Sequence, residues 1–256
     1  MTNSVARLAL PPLPCVLLTL SFSFPALSAP TPPPIYKTPM NDTGVTYCGY
    51  GSRCTRRDLA QDATVGRDKT HNKNADGHAG FSFTKIGSDG KPLKAKARKW
   101  QCVQDNVTGL MWEVKTTDLN LHTDYRIYTW YEPDSRRNGG DAGVQHSDFC
   151  AECNTHDFVV AVNQEGWCGY HDWRLPTIEE LINLSGFYSQ RAANGYAPDL
   201  AYFPDAKSNY QEGAQYWSSS SGNGDVAWYF GENSFSFVNE GKKGEERFVR
   251  LVRDGR

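Results

Sequence analysis

The stretch GYHDWRLPTIEEL (169–181) sets His171, Asp172 and Arg174 within four positions of one another, types that can make up an acid–base set. The same three also suit a corner that buries Trp173 and pairs an arginine with carboxylates. The structural reading is favoured, because a motif carries function only where a matching site surrounds it. CAEC (150–153) has metal-ligand spacing, but a second correctly spaced pair is missing and a structural zinc needs four ligands. YEPD (131–134) invites comparison with the calcium and sugar triplets of lectins, yet it precedes the first expected helix rather than lying in a long loop, so it is read as a chance match. The six histidines (71, 78, 122, 146, 156, 171) are scattered, and neither Gly-x-Ser-x-Gly nor His-Glu-x-x-His occurs. The sequence nominates no catalytic residue, no metal and no cofactor.

Charge and aromatic faces suggest binding instead. KPLKAKARK (91–99) gathers Lys94 and Lys96 with Lys91, Arg98 and Lys99, enough positive charge to meet a polyanion. A solvated surface segment is the competing reading and the favoured one. A second patch, Lys242, Lys243 and Arg247, lies beside an expected turn, where exposure is anticipated. Trp217 and Trp228 are read as core, whereas Tyr229 points to the opposite strand face and is the candidate for stacking on a sugar. Arg250 and Arg253 are read as structural ion pairs.

Residues 1–28 have the make-up of an export signal: Arg7, the apolar run CVLLTLSFSF (15–24), then small residues before a Pro-rich stretch. Cleavage after Ser28 is favoured over cleavage after Ala29. The mature chain is expected to lack a membrane span. Of seven cysteines, Cys15 leaves with the signal, and Cys48, Cys54, Cys102, Cys150, Cys153 and Cys168 remain as an even set that reads as disulfides in an exported chain. The pairing preferred among 15 is Cys48–Cys54, Cys153–Cys168 and Cys102–Cys150.

The elements that position these residues can be followed along the chain. Residues 29–47 read as a Pro-rich tether, and 48–99 as a loop-rich segment whose one strand is AGFSFTKI (79–86). A hairpin follows, KWQCVQ and GLMWEV around DNVTG (105–109), with Leu110, Trp112 and Val114 on one face. THDFVVAVNQEG (155–166) predicts a helix ended by Gly166. Thr177 and Glu180 have capping-box spacing, so a second helix starts near Ile178 with Ile178, Leu181, Ile182 and Leu184 buried. A loop of some thirty residues (186–215) comes next. QYWSSSS (215–221), DVAWYFG (225–231), SFSFV (234–238) and RFVRLVRD (247–254) are expected to form an antiparallel meander, with 239–246 as its turn. Helices segregated from an antiparallel sheet make the class α+β, with one main domain over 100–256. A net charge of -2 gives no basis for nucleic-acid binding.

DNVTGLMWEVKT (105–116), YTWY (128–131), CGYHDWRLPTIEEL (168–181), YWSSS (216–220) and FVRLVR (248–253), in this order, resemble the DUF1566 family, named for the carboxy-terminal domain of the Legionella collagen-like adhesin. The resemblance implies a C-type-lectin-like fold related to that of formylglycine-generating enzymes, and an adhesin that binds sulfated polysaccharides. The enzyme chemistry of those relatives uses a cysteine pair near the carboxyl end, and here no cysteine follows Cys168. The collagen-like stalk through which that adhesin trimerises is missing too, so no oligomeric state is implied. The expectation is an exported, non-catalytic, lectin-like protein of a Gram-negative bacterium, periplasmic, surface-bound or secreted, whose partner is a glycan. The alternative is a structural or protein-interaction subunit of a cell-surface assembly.

Overall fold

The computed structural model describes residues 40–42, 48, 62–70, 75–78, 80–146, 153–185, 191–192, 195–196, 198–205, 214–233 and 236–255. The expected export signal and most of the Pro-rich tether therefore lie outside the described residues. In chain order the elements are α1 (Asp62–Val65), α2 (Arg67–Thr70), β1 (Phe83–Ile86), β2 (Cys102–Asp105), β3 (Leu110–Glu113), α3 (Thr155–Glu165), a short 3-10 turn (Trp167–Gly169) and α4 (Ile178–Ser185). The two-residue strands β4 (Arg191–Ala192) and β5 (Gly195–Tyr196) follow, then β6 (Gln215–Ser221), β7 (Val226–Asn233), β8 (Ser236–Lys242) and β9 (Val252–Asp254). The class is α+β with antiparallel sheets, and among the described residues no helix is long and apolar enough to cross a membrane.

The hairpin forms where expected, because Asp105 organises its own turn: its carboxylate accepts from Val107 N (2.9 Å) and Thr108 N (3.1 Å), and Gly109 supplies the positive φ (78°) that closes it. Alternation then sorts the side chains. Val103, Leu110, Trp112 and Val252 join one apolar cluster, while Cys102, Met111 and Ile86 join the other, so the β1-β2-β3-β9 sheet is covered on both faces. β1 hydrogen-bonds to β2 from Phe83↔Asp105 to Ile86↔Cys102 and thus belongs to this sheet. Asn41 and Asp42 pack rather than trail as tether. Asn41 donates Nδ2 to Asp105 (2.6 Å) and its backbone N to Asn183 Oδ1 (2.7 Å), and Asp42 accepts from Asp68 N (2.9 Å), polar anchors invisible to composition.

The two helices expected from the sequence, α3 and α4, match their signals. Asn154, one residue before the expected start, caps α3 by accepting from Asp157 N, and Gly166 ends it in the left-handed conformation (φ 77°). At α4 the box is reciprocal: Thr177 N donates to Glu180 Oε2 (2.8 Å) and Glu180 N donates to Thr177 Oγ1 (3.3 Å).

The carboxy-terminal expectation needs two corrections. β6, β7 and β8 form a three-stranded meander, but the last strand leaves it: Leu110, Met111 and Trp112 of β3 pair with Asp254, Arg253 and Val252. Val252 also exchanges two 2.9 Å bonds with Arg174, so the corner at 169–177 supplies the other edge. In addition, β8 runs to Lys242, which shortens the turn to its last few residues. The disulfides differ as well. Cys102 pairs with Cys168, which excludes the anticipated Cys153–Cys168 and Cys102–Cys150 bonds and ties β2 to the turn before the corner. Cys48 and Cys153 are each disulfide-bonded, and Cys54 and Cys150 lie outside the described residues. Sequence spacing has no access to such pairings, because proximity across 66 residues is a property of the assembled sheet.

Candidate functional site

The corner proves to be a lock. Arg174 meets Glu180 through two 2.7 Å bonds, Asp172 accepts from Arg253 Nε at 2.6 Å, and the Arg253 guanidinium lies 3.7 Å over the Tyr170 ring. Trp173 is buried, with its indole N–H on Trp167 O at 3.0 Å. His171 Nδ1 is 2.6 Å from Asn163 O and stays exposed. These groups join α4, the closing strand and the corner, and they do not converge on open space. Their partners are used up within the fold.

The second cationic patch is not exposed as expected. Lys243, only 1% exposed, donates to three backbone oxygens, Asn138 (2.7 Å), Asp141 (2.6 Å) and Gly224 (2.6 Å), with Trp130 4.6 Å from its ammonium. It staples the glycine-rich insertion to the β6–β7 turn. Arg247 is buried at 7% exposure, with its guanidinium 4.3 Å over Trp217 and 4.0 Å over Tyr229. Tyr229 is half-buried beneath it and packs edge-on to Trp217. Only Lys242 of this patch is exposed. Lysines next to turns look solvated in sequence; here nearby carbonyls and rings draw two of the cations inward. Trp217 is core as expected, whereas Trp228 is half-buried.

An open cleft of about 1010 Å³ lies elsewhere, between the segment 87–101 and the segment 114–118, with Pro204 and Asp205 closing one end. Its first wall is the basic run. That segment is clamped over β1 by Lys85, whose ammonium donates to Ala97 O (3.1 Å) and sits 3.5 Å over the Trp100 ring, while Trp100 donates its indole N–H to Tyr202 O (2.8 Å). Burial pushes the Lys85 ammonium down, with Asp199 opposing. Arg98 and Lys99 line the cleft, are exposed and have no ion pair among the described residues. Lys94 and Lys96 are exposed on the same segment without lining the cleft, and Lys91 is held by Asp89 at 2.9 Å.

Beneath the cleft runs a buried charged seam that the sequence reading missed. Glu113, fully buried, accepts from Lys115 Nζ (3.0 Å) and Leu251 N (2.9 Å) and lies 2.7 Å from His122 Nδ1. Arg250 donates to Glu113 O (2.9 Å) and pairs with Asp205. Burial opposes ionisation of Glu113, but Lys115 and His122 outweigh it and hold the carboxyl down at about 2. Burial pushes the Lys115 ammonium down and the Asp205 carboxyl up, each against its ion partner. Lys115 and Asp205 are the two seam charges that reach the cleft. A signal was present: Glu113 sits in the apolar run LMWEV on the face opposite Trp112, where an unpaired charge is untenable.

The arrangement is an accessible, positively rimmed cleft with an aromatic residue in its wall and a floor whose charges are already paired. Residues 101–253 match the sequence model of the Lcl C-terminal domain, in line with the resemblance drawn from the motifs. No curated protein and no solved structure matches the chain.

Proposed function

The chain belongs to the Lcl C-terminal domain family, and we propose that it is an exported, non-catalytic, lectin-like binding protein that holds an anionic surface glycan in the cleft beside β1. The family suggests an adhesin-like surface or secreted protein. The finer reading is supported by one observation above all: Arg98 and Lys99 line an open cleft with no ion partner among the described residues, whereas the ionisable groups of its floor are held in ion pairs. Free cations on a rim recruit and orient an anion, and paired floor groups are poor proton carriers. The order hairpin, helix, helix, meander and returning strand supports a C-type-lectin-like arrangement.

A glycan array probed with the mature protein at low and high salt tests this reading. Binding of sulfated or carboxylated glycans that weakens with salt is expected; an array without signal, or salt-insensitive binding, contradicts it. A second reading, a protein-interaction subunit of a cell-surface assembly, draws on Leu119 (93% exposed) and Tyr125 (63%), apolar side chains on the loop that begins at the cleft's second wall. Co-purification from an envelope fraction by the wild-type chain but not by a Leu119→Ser/Tyr125→Ser variant would favour it.

A further inference from the structure

We propose that His122 is a charged keystone under the cleft: as an imidazolium it pins the 116–124 loop that forms the second wall, and its deprotonation releases that wall. The geometry is two-sided. Nδ1 is 2.7 Å from Glu113 Oε1, Nε2 is 3.2 Å from Glu165 Oε2, and the ring stacks on Trp167 with centroids 3.4 Å apart. A neutral imidazole has a single N–H, so it can satisfy only one of two carboxylates; the imidazolium satisfies both. Loss of a proton therefore sets a nitrogen lone pair against a carboxylate, at a ring that is itself only 1% exposed.

The loop depends on that residue. His122 O accepts from Thr116 N (2.9 Å), Asp124 N donates to Thr116 O (2.9 Å), and Asn120 Oδ1 receives both His122 N (2.8 Å) and Thr116 Oγ1 (3.2 Å). Thr116, Thr117 and Asp118 are the cleft wall, so whatever holds His122 holds the wall. The charged groups packed in the same cluster are Glu113 from β3 and Lys115 just after it, Glu165 from α3, and Arg250 with its partner Asp205, while Arg126 of the loop lies beside Tyr128. Glu113 and Glu165 favour a positive ring directly, and Lys115 opposes it through the oxygen they share. The outer carboxylate is the tunable one, since the Glu165 side chain is 45% exposed and Glu113 is sealed.

Protonated His122 closes the wall, so closure is present at low pH and is lost as pH rises through the titration of the ring. Coupling of this motion to ligand grip rests on the cleft being the binding site; the motion does not. Long-range ¹H–¹⁵N spectra of the His122 ring, recorded together with amide exchange of residues 116–124 from about pH 5 to about pH 8, test it without any ligand. Both ring nitrogens are expected to be protonated at the acid end, and the 116–124 amides are expected to lose about tenfold protection as the ring titrates. Glu165→Gln, which removes the outer carboxylate that favours the charged ring, should shift that loss to lower pH. His122→Gln, with the fold monitored by near-ultraviolet dichroism, should abolish the pH dependence, and Glu165→Gln supplies the test should His122→Gln not fold. A His122 ring that is a single neutral tautomer at about pH 5, or wall protection that ignores the ring's titration, would overturn the proposal.

Discussion

The meander and the cleft both carry lysines and arginines, and they use them in opposite ways. Beside the meander, Lys243 is surrounded by three carbonyls and Arg247 is stacked on Trp217 and Tyr229, so these cations act as internal ties. Along the cleft, Arg98 and Lys99 stand at the rim without ion partners among the described residues, while the cations beneath them, Lys115 and Arg250, are neutralised by Glu113 and Asp205. A basic residue is thus available to a ligand only where the fold has supplied other donors for its acceptors. Three carbonyls turned toward one ammonium decide the role of Lys243 more than its place next to a turn does.

Breaking the seam should have the largest effect. Arg250→Ala removes the buried ion partner of Asp205 and the donor to the Glu113 carbonyl and is expected to cost about 3–5 kcal/mol in denaturant unfolding. Lys243→Met comes next: three carbonyls lose a charged donor, for about 2–3 kcal/mol, while Lys242→Met, one position away and exposed, should stay within about 0.5 kcal/mol. That pair isolates the comparison, since the two substitutions are identical in chemistry.

Acid should act on the seam in a defined window. The folded Glu113 carboxyl titrates near 2 against an ordinary 4.5, so the stability it contributes is present above about 4.5 and is lost as pH falls toward 2. Asp205, which burial pushes the other way, partly offsets this. Thermal melts across that range should fall for the wild-type chain and less steeply for Glu113→Gln, whose starting stability is lower. The smallest effect on the fold belongs to the rim, where Arg98→Ala with Lys99→Ala should change stability by no more than about 0.5 kcal/mol.

Legibility followed the range of the interactions. The capping box at Thr177 and Glu180, the Gly166 terminator and the 105–109 turn were readable because each is closed within a few residues. The corner was readable as structure because an arginine there needed a carboxylate, which Arg174 found in Glu180, and Asp172 is likewise held by an arginine, Arg253. What escaped was long-range: the Cys102–Cys168 bond, the passage of β9 to the side of β3, and the inward turn of Lys243 and Arg247 all depend on segments that meet only after folding. The cleft escaped for the same reason, although its two rim cations, Arg98 and Lys99, lay in a basic run that composition alone could flag.

The central claim is that binding belongs to the cleft rim and not to the meander. Titration calorimetry with heparin as the sulfated probe, on Arg98→Ala/Lys99→Ala and on Lys242→Ala, addresses it directly. Losing two rim contacts of about 0.7 kcal/mol each predicts about tenfold weaker binding for the double variant and a shallower salt dependence, with Lys242→Ala unchanged. Equal affinity of the double variant and the wild-type chain, or a loss confined to Lys242→Ala, would contradict the account.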